Sequence, residues 1–152
     1  MPLNRRLFLI AAPLALVGCG RRQPRHAPHV TKSTSNNATI NRLITKYANR
    51  YDVPEDLVHR VVKRESTYNP NARNGPYMGL MQIHPDTARG MGYRGTPEGL
   101  LDPETNLNFS VKYLRGAWLV SDGSYDKADM WYQRGYYYEA KRRGMLKETG
   151  LR

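Results

Sequence analysis

The sequence predicts one mainly α-helical domain, and three observations point there. Residues 38–51 carry apolar side chains at Ile40, Leu43, Ile44, Tyr47, Ala48 and Tyr51, the spacing of an amphipathic helix. Leu57, Val58, Val61 and Val62 gather on one arc of a second helix that follows Asp52-Val53-Pro54 and runs to Ser66. Asp102-Pro103-Glu104 has the composition of a helix start: a capping carboxylate, proline at the first position and an acid in the first turn. Val111, Leu114, Trp118 and Leu119 then supply a stripe to bury. The chain has 152 residues, room for one compact domain rather than two. Its hydrophobic share of 39%, with 13 glycines, is that of a globular protein.

The first residues read as an export signal. Met1–Arg6 is short and basic, and Leu7–Val17 is an apolar run too short for a spanning helix, which needs about 20 residues. Leu16-Val17-Gly18-Cys19 resembles the bacterial lipoprotein signal, in which a cysteine receives lipid and becomes the mature N-terminus. Cys19 is also the only cysteine. The resemblance implies a signal peptide over residues 1–18, lipidation of Cys19 and membrane attachment through it. Gly20 follows where an aspartate is associated with inner-membrane retention, which favours an outer-membrane lipoprotein facing the periplasm. A cleaved signal with an incidental cysteine, or an uncleaved anchor, stays open. Asn4-Arg5-Arg6-Leu7-Phe8-Leu9 also resembles a twin-arginine signal, with Asn where Ser or Thr is usual, so two export routes are open. Residues 19–37 have no apolar periodicity and read as a basic, flexible tether. The folded domain is expected over 38–152.

That division also disposes of the charge. Lys and Arg number 24 against 13 acids, a net +11 that invites a nucleic-acid reading. Six of the basic residues lie in residues 1–37, where there is no acid. The domain keeps 18 basic and 13 acidic residues, +5, modest for its size. No nucleic-acid motif accompanies it, so no nucleic-acid partner is expected. One cysteine and four histidines at no ligand spacing exclude an internal disulfide, a zinc cluster and an iron–sulfur site. No metal and no cofactor are expected.

On the second helix one residue is out of place. At about 100° per residue, with Leu57 at 0°, Glu65 falls near 80°, inside the apolar arc. A carboxylate there is either desolvated and kept protonated, as a general acid requires, or a helix-end acid that reaches solvent or pairs. Arg64 next to it pulls toward the second reading, and the wheel alone leaves the two even.

Two motifs decide between them. Glu65-Ser66-Thr67-Tyr68-Asn69-Pro70-Asn71-Ala72 and Met78-Gly79-Leu80-Met81-Gln82-Ile83-His84-Pro85-Asp86-Thr87-Ala88 resemble the soluble, goose-lysozyme-like family of lytic transglycosylases. That family has E-S-x-[FY]-[ND]-P-x-A, a short loop, then G-L-M-Q-[IL]-x-P-x-T-A. Asp102-Pro103-Glu104-Thr105-Asn106-Leu107 matches its later helix start. The resemblance covers roughly residues 40–143. It implies a lysozyme-like fold, peptidoglycan as substrate, and Glu65 as the single catalytic acid/base. It places Ser66, Met81 and Gln82 at the sugar cleft, and Asn74 where the family has a serine in a loop about one residue longer. Tyr132 matches the tyrosine that hydrogen-bonds the catalytic glutamate. Gly79 lets the backbone approach a ligand or another segment closely. Asp102 is expected as a structural cap.

The implied reaction cleaves the MurNAc–GlcNAc β-1,4 bond and closes a 1,6-anhydro ring, without the second carboxylate most glycosidases use. A lysozyme-type muramidase and a non-catalytic peptidoglycan-binding lipoprotein remain as alternatives. The sequence names no protein partner. The family's A-Y-N-A-G-x-G is departed from at Tyr132-Gln133-Arg134-Gly135, with Gln133 for Asn and Arg134 for a small residue. Ser110 stands where glycine is common. Tyr137 and Tyr138 are expected to pack in the core, and Arg142 and Arg143 to lie on a solvated basic helix.

Overall fold

The computed structural model describes residues 32–151, and of residues 32–36 the backbone alone. Cys19, the signal over 1–18 and the tether up to residue 31 lie outside the described residues. Six α-helices, one short hairpin and a 3₁₀ turn follow one another: α1 (Lys32–Tyr51), α2 (Glu55–Ser66), β1 (Arg73–Asn74), β2 (Tyr77–Met78), α3 (Pro85–Gly90), a 3₁₀ turn (Pro97–Leu101), α4 (Pro103–Leu119), α5 (Tyr125–Arg134) and α6 (Tyr137–Arg142).

The first helix starts at Lys32, ahead of the expected boundary, so the end of the segment read as tether is helical. The periodic residues bury as the spacing predicts: Ile40, Ile44, Tyr47 and Ala48 enter the core, while Leu43 and Tyr51 are half-buried. Asp52, at φ 51°, turns the chain, and the Val53 N–H caps the Ala48 carbonyl at 3.0 Å. Pro54 stands just before α2 rather than at its first position, and its carbonyl accepts from the Leu57 and Val58 N–H groups. Leu57, Val58, Val61 and Val62 are wholly buried. Truncating Leu57 to alanine would cost about 2–5 kcal/mol by the usual cavity scale. Thr67, at φ 50°, closes the helix with its N–H on the Lys63 carbonyl.

The central element is α4, which packs against α1 and α5. Asp102 caps it as expected, accepting from the Thr105 N–H at 2.8 Å, with Pro103 in the first turn. The buried stripe is Leu107, Val111, Leu114 and Ala117. Trp118 and Leu119, expected in it, are half-buried, and Trp118 rests edge-on against Tyr125 at the start of α5. The stripe shifts because α4 is enclosed between two helices, so small residues, Gly116 and Ala117, face the neighbours. Gly116 leaves room for the Tyr136 ring, which a Cβ there would strike.

Behind the hairpin a second, smaller core joins Met78, Ile83, Ala88, Tyr93 and Leu100. Asn106 ties it to α4. The side chain is wholly buried, and its Nδ2 donates to the Met78 and Leu100 carbonyls at 2.8 Å each. Its Oδ1 accepts from the Met81 N–H at 3.0 Å. Gly79 lies flat against this amide, at φ +76°, and a Cβ would overlap the Asn106 side chain and the Leu100 carbonyl. The close approach expected of Gly79 is therefore to chain, within the protein.

The tyrosine run divides differently from the expectation. Tyr136 is the core residue, its hydroxyl donating to the Tyr113 carbonyl at 2.9 Å. Tyr137 and Tyr138 are exposed, because α6 is two turns long and buries only Ala140. Arg142 and Arg143 are not merely solvated: both pair with Glu139, and Arg143 also with Asp122. The hydrogen bonds from these guanidiniums hold Glu139 and Asp122 down to about 2.

Candidate active site

Glu65 is the penultimate residue of α2, where the helix ends against the segment that follows the hairpin. Its side chain is 22% exposed, so the apolar arc brings it to the edge of the core and not into it. It lines a cavity of about 190 Å³ with Asn74, Tyr77, Gln82, Tyr132 and Gln133. A second cavity of about 270 Å³ shares Tyr77, Gln82, Tyr132 and Gln133 and extends to His84, Arg134 and Gly135. The two form one elongated depression whose floor is Tyr132. Asn74, Gln82, Tyr132 and Gln133 thus line one cavity with Glu65.

Gln82 is built for the place. Its backbone is left-handed at φ 47°, rare for a side chain larger than asparagine. Its Nε2 donates to the Ala72 carbonyl at 3.0 Å and the Gly79 carbonyl at 2.9 Å. Two carbonyl acceptors fix the orientation of the amide and leave its oxygen as the end that can accept from a ligand. Gln133 is more loosely held, with one long bond of 3.3 Å to the Asp129 carbonyl, one turn back.

Three expectations for the site do not hold. Ser66 does not line the cavity: its hydroxyl donates to the Leu80 carbonyl at 2.7 Å and the Val62 carbonyl at 3.2 Å, stapling the end of α2 to the Gly79–Ile83 turn. Met81 is wholly buried in the main core. The turn that points Gln82 outward points its neighbour inward, and what Met81 offers the site is its backbone. Tyr132 lies in the floor, but its hydroxyl donates to the Met81 carbonyl at 2.9 Å instead of to Glu65. Burial pushes the Tyr132 hydroxyl far above its ordinary value, with the Glu65 charge adding to it, so it remains a donor. Burial likewise pushes Tyr113, edge-on against Tyr132, up to about 12. Ser110 is buried beneath, at 3.5 Å from Asn106 Oδ1.

Two features escape the sequence reading. Tyr77 projects from β2, 46% exposed, lining both cavities, with its ring edge-on to His84 at 5.6 Å. Its signal is an aromatic beside the Gly75-Pro76 turn, just ahead of a matched motif. Asp129, one helical turn before Tyr132 on α5, is 8% exposed and ion-paired to Arg64. Its Oδ1 lies against the Arg64 guanidinium. Its signal is the i, i+3 relation to Tyr132, which puts both on one face. Arg64 in turn donates to Glu65 from Nε at 3.0 Å and from Nη2 at 2.5 Å. Among the described residues no three histidines, cysteines or acids cluster as metal ligands.

The arrangement presents one carboxylate to a polar and aromatic depression, and no second carboxylate lines that cavity. A lone acid of this kind can give and retake one proton at a bound molecule. Amide and phenol surfaces suit hydroxyl and acetamido groups and the flat faces of sugars.

Known proteins are consistent with that chemistry. A soluble lytic murein transglycosylase of Escherichia coli K12 is 35% identical over 83 residues, covering 49% of this chain and 13% of that protein. A membrane-bound lytic murein transglycosylase E of Buchnera aphidicola is 38% identical over 82 residues, covering 49% of this chain and 37% of its own length. The chain therefore matches well under half the length of these relatives. The crystal structure of the 70 kDa soluble lytic transglycosylase of Escherichia coli superposes with a TM-score of 0.58 at 27% identity, over 72% of this chain and 18% of that one. A complex of that enzyme with bulgecin A gives 0.59. The mainly helical, lysozyme-like fold expected from the motifs is thus the observed one. Residues 42–138 match the model of the transglycosylase SLT domain, and the chain belongs to that family.

Proposed function

We propose that the protein is a peptidoglycan lytic transglycosylase with Glu65 as its single general acid/base. The observation that carries this is Glu65 alone among carboxylates in a depression shared with Gln82, Tyr132 and Gln133, inside the matched domain. Protonated Glu65 gives its proton to the oxygen between MurNAc C1 and GlcNAc C4. That C–O bond breaks, and the muramyl residue's own substituents stabilise the oxocarbenium-like C1. Glu65, now a carboxylate, takes the proton of the C6 hydroxyl as O6 bonds to C1. The products are a 1,6-anhydro-muramyl end and a free GlcNAc hydroxyl, and Glu65 is returned to its starting state. Gln82, Gln133 and Asn74 hold the glycan by its amides and hydroxyls, with Tyr77 as a further wall.

The test is mass analysis of digested sacculi. Anhydro-muropeptides are expected, and hydrated reducing ends would instead make the protein a muramidase. Glu65→Gln should keep its fold and lose about 10²–10⁴ of the activity, the usual worth of a general acid/base. Equal clearing by both proteins in a zymogram would remove Glu65 as the acid/base, and no clearing by the parent would leave only peptidoglycan binding.

The same proposal places the enzyme at the outer membrane, facing the periplasm, through lipid on Cys19. The lipoprotein-like Leu16-Val17-Gly18-Cys19 supports this, as does the presence of membrane-bound transglycosylases among its relatives. Cys19→Ser should move the protein from the membrane to the soluble fraction, and unchanged fractionation would count against lipid attachment.

A further inference from the structure

Arg64 precedes Glu65 on α2, and both of its donors to Glu65, Nε and Nη2, reach the same oxygen, Oε1. The remaining nitrogen, Nη1, sits against Oδ1 of Asp129 on α5. Asp129 is itself held, its Oδ2 lying 3.4 Å from Arg60 Nε, and Arg60 Nη2 lies 2.6 Å from Asp126. Charges thus alternate from Glu65 through Arg64, Asp129 and Arg60 to Asp126, and the chain of pairs joins α2 to α5. A guanidinium is planar, with its donors in a fixed fork. Pairing Nη1 with Asp129 fixes where Nε and Nη2 point. Glu65 Oε2 has no hydrogen-bond partner among the described residues.

We propose that Arg64, anchored by Asp129, is a positioning residue for Glu65: it holds Oε1 and leaves Oε2 as the oxygen that exchanges the proton with substrate. The proposal rests on the acid/base reading of Glu65. It goes beyond the family motif, which specifies the residues from Glu65 onward and not the one before it. Burial pulls the Arg64 guanidinium down, but hydrogen bonds and charge from Glu65 and Asp129 outweigh it and leave it raised, so the clamp stays charged. The other groups that face Glu65 are Tyr132 from α5 and Tyr77 from the hairpin, with His84 and Arg134 farther along the depression. None of these bonds the carboxylate.

The test is the steady-state kinetics on isolated sacculi of Arg64→Gln, Arg64→Lys, Asp129→Asn and the parent. Arg64→Gln should lower kcat about tenfold with KM within about twofold, the pattern for an interaction that acts on the reacting state. Arg64→Lys keeps the charge without the fork, so its kcat should still fall. Asp129→Asn should lower kcat in the same way as Arg64→Lys, through loss of the anchor. An unchanged kcat in Arg64→Gln, or a KM that rises as kcat falls, would mean a merely structural pair and would overturn the proposal. Glu65→Gln runs beside them. Retained activity there would remove the acid/base reading and this proposal with it. A dead Glu65→Gln beside an Arg64→Gln with the parent's kcat would remove this proposal alone.

Discussion

The two walls of the depression are built by different means. One wall is the end of α2, the hairpin and the Gly79–Ile83 turn. It is held by backbone groups: Gly79 N–H on the Ala72 carbonyl at 2.9 Å, Met78 and Ile83 exchanging N–H bonds at 3.2 and 3.1 Å, and the Asn106 amide seated on three backbone groups. The other wall is α5, from Asp129 to Gly135. It is held by side chains: the Asp129 ion pairs, the Tyr132 hydroxyl and the Tyr113–Tyr132 ring contact. The first wall matches the family motifs on either side of its hairpin, where the loop is about one residue shorter, and the second departs from them. A wall fixed by backbone hydrogen bonds permits few substitutions, because each changes the course of the chain. A wall fixed by side chains on a regular helix can exchange them while the helix stays. The first wall thus carries Glu65, and the second is where side chains can change without moving the chain.

The largest effect should come from breaking the first wall at Gly79. Gly79→Ala puts a Cβ on a backbone at φ +76° and drives it into the Asn106 amide and the Leu100 carbonyl. Backbone strain and overpacking together should cost about 3 kcal/mol or more. Thermal unfolding should show it as a lowered Tm, with activity lost at temperatures where the parent works. An unchanged Tm would mean that the turn can shift away from Asn106, and that this wall is less rigid than its hydrogen bonds imply.

The contrast also explains what the sequence disclosed. The helices were legible because Ile40, Ile44, Leu57, Val61 and Val111 bury with helical spacing and Asp102 caps its own helix. Those are local rules, read from neighbours in the chain. Glu65 and Gln82 were legible through a motif. The fates of Ser66 and Met81 were not. Both follow from the direction of a turn whose left-handed residue is Gln82, and a one-residue change of facing exchanges core for cavity. Asp129 was invisible for another reason: its partners Arg60 and Arg64 are more than 60 positions away, and nothing local marks an acid for burial by a distant arginine. Tyr136 and its two neighbours make the same point, since three identical side chains in a row give no pattern to say which is enclosed.

The smaller effect, and the sharper one, concerns the bond that joins the walls. The Tyr132 hydroxyl crosses from α5 to the Met81 carbonyl, although the family pattern assigns such a tyrosine to the glutamate. Tyr132→Phe keeps the ring and its contact with Tyr113, and removes only the hydroxyl. If the bond is to Met81, a buried carbonyl loses its partner. Stability should then fall by about 1–2 kcal/mol, the cost of one buried unsatisfied acceptor. The alkaline limb of the pH–activity profile should not move, because no donor to Glu65 has been lost. If the hydroxyl instead serves Glu65 during turnover, the outcomes exchange: stability changes little, and the limb shifts to higher pH because a donor that favoured the carboxylate is gone. A denaturant titration and a pH profile on the same variant therefore decide whether Tyr132 belongs to the frame that holds the first wall in place or to the group that moves the proton.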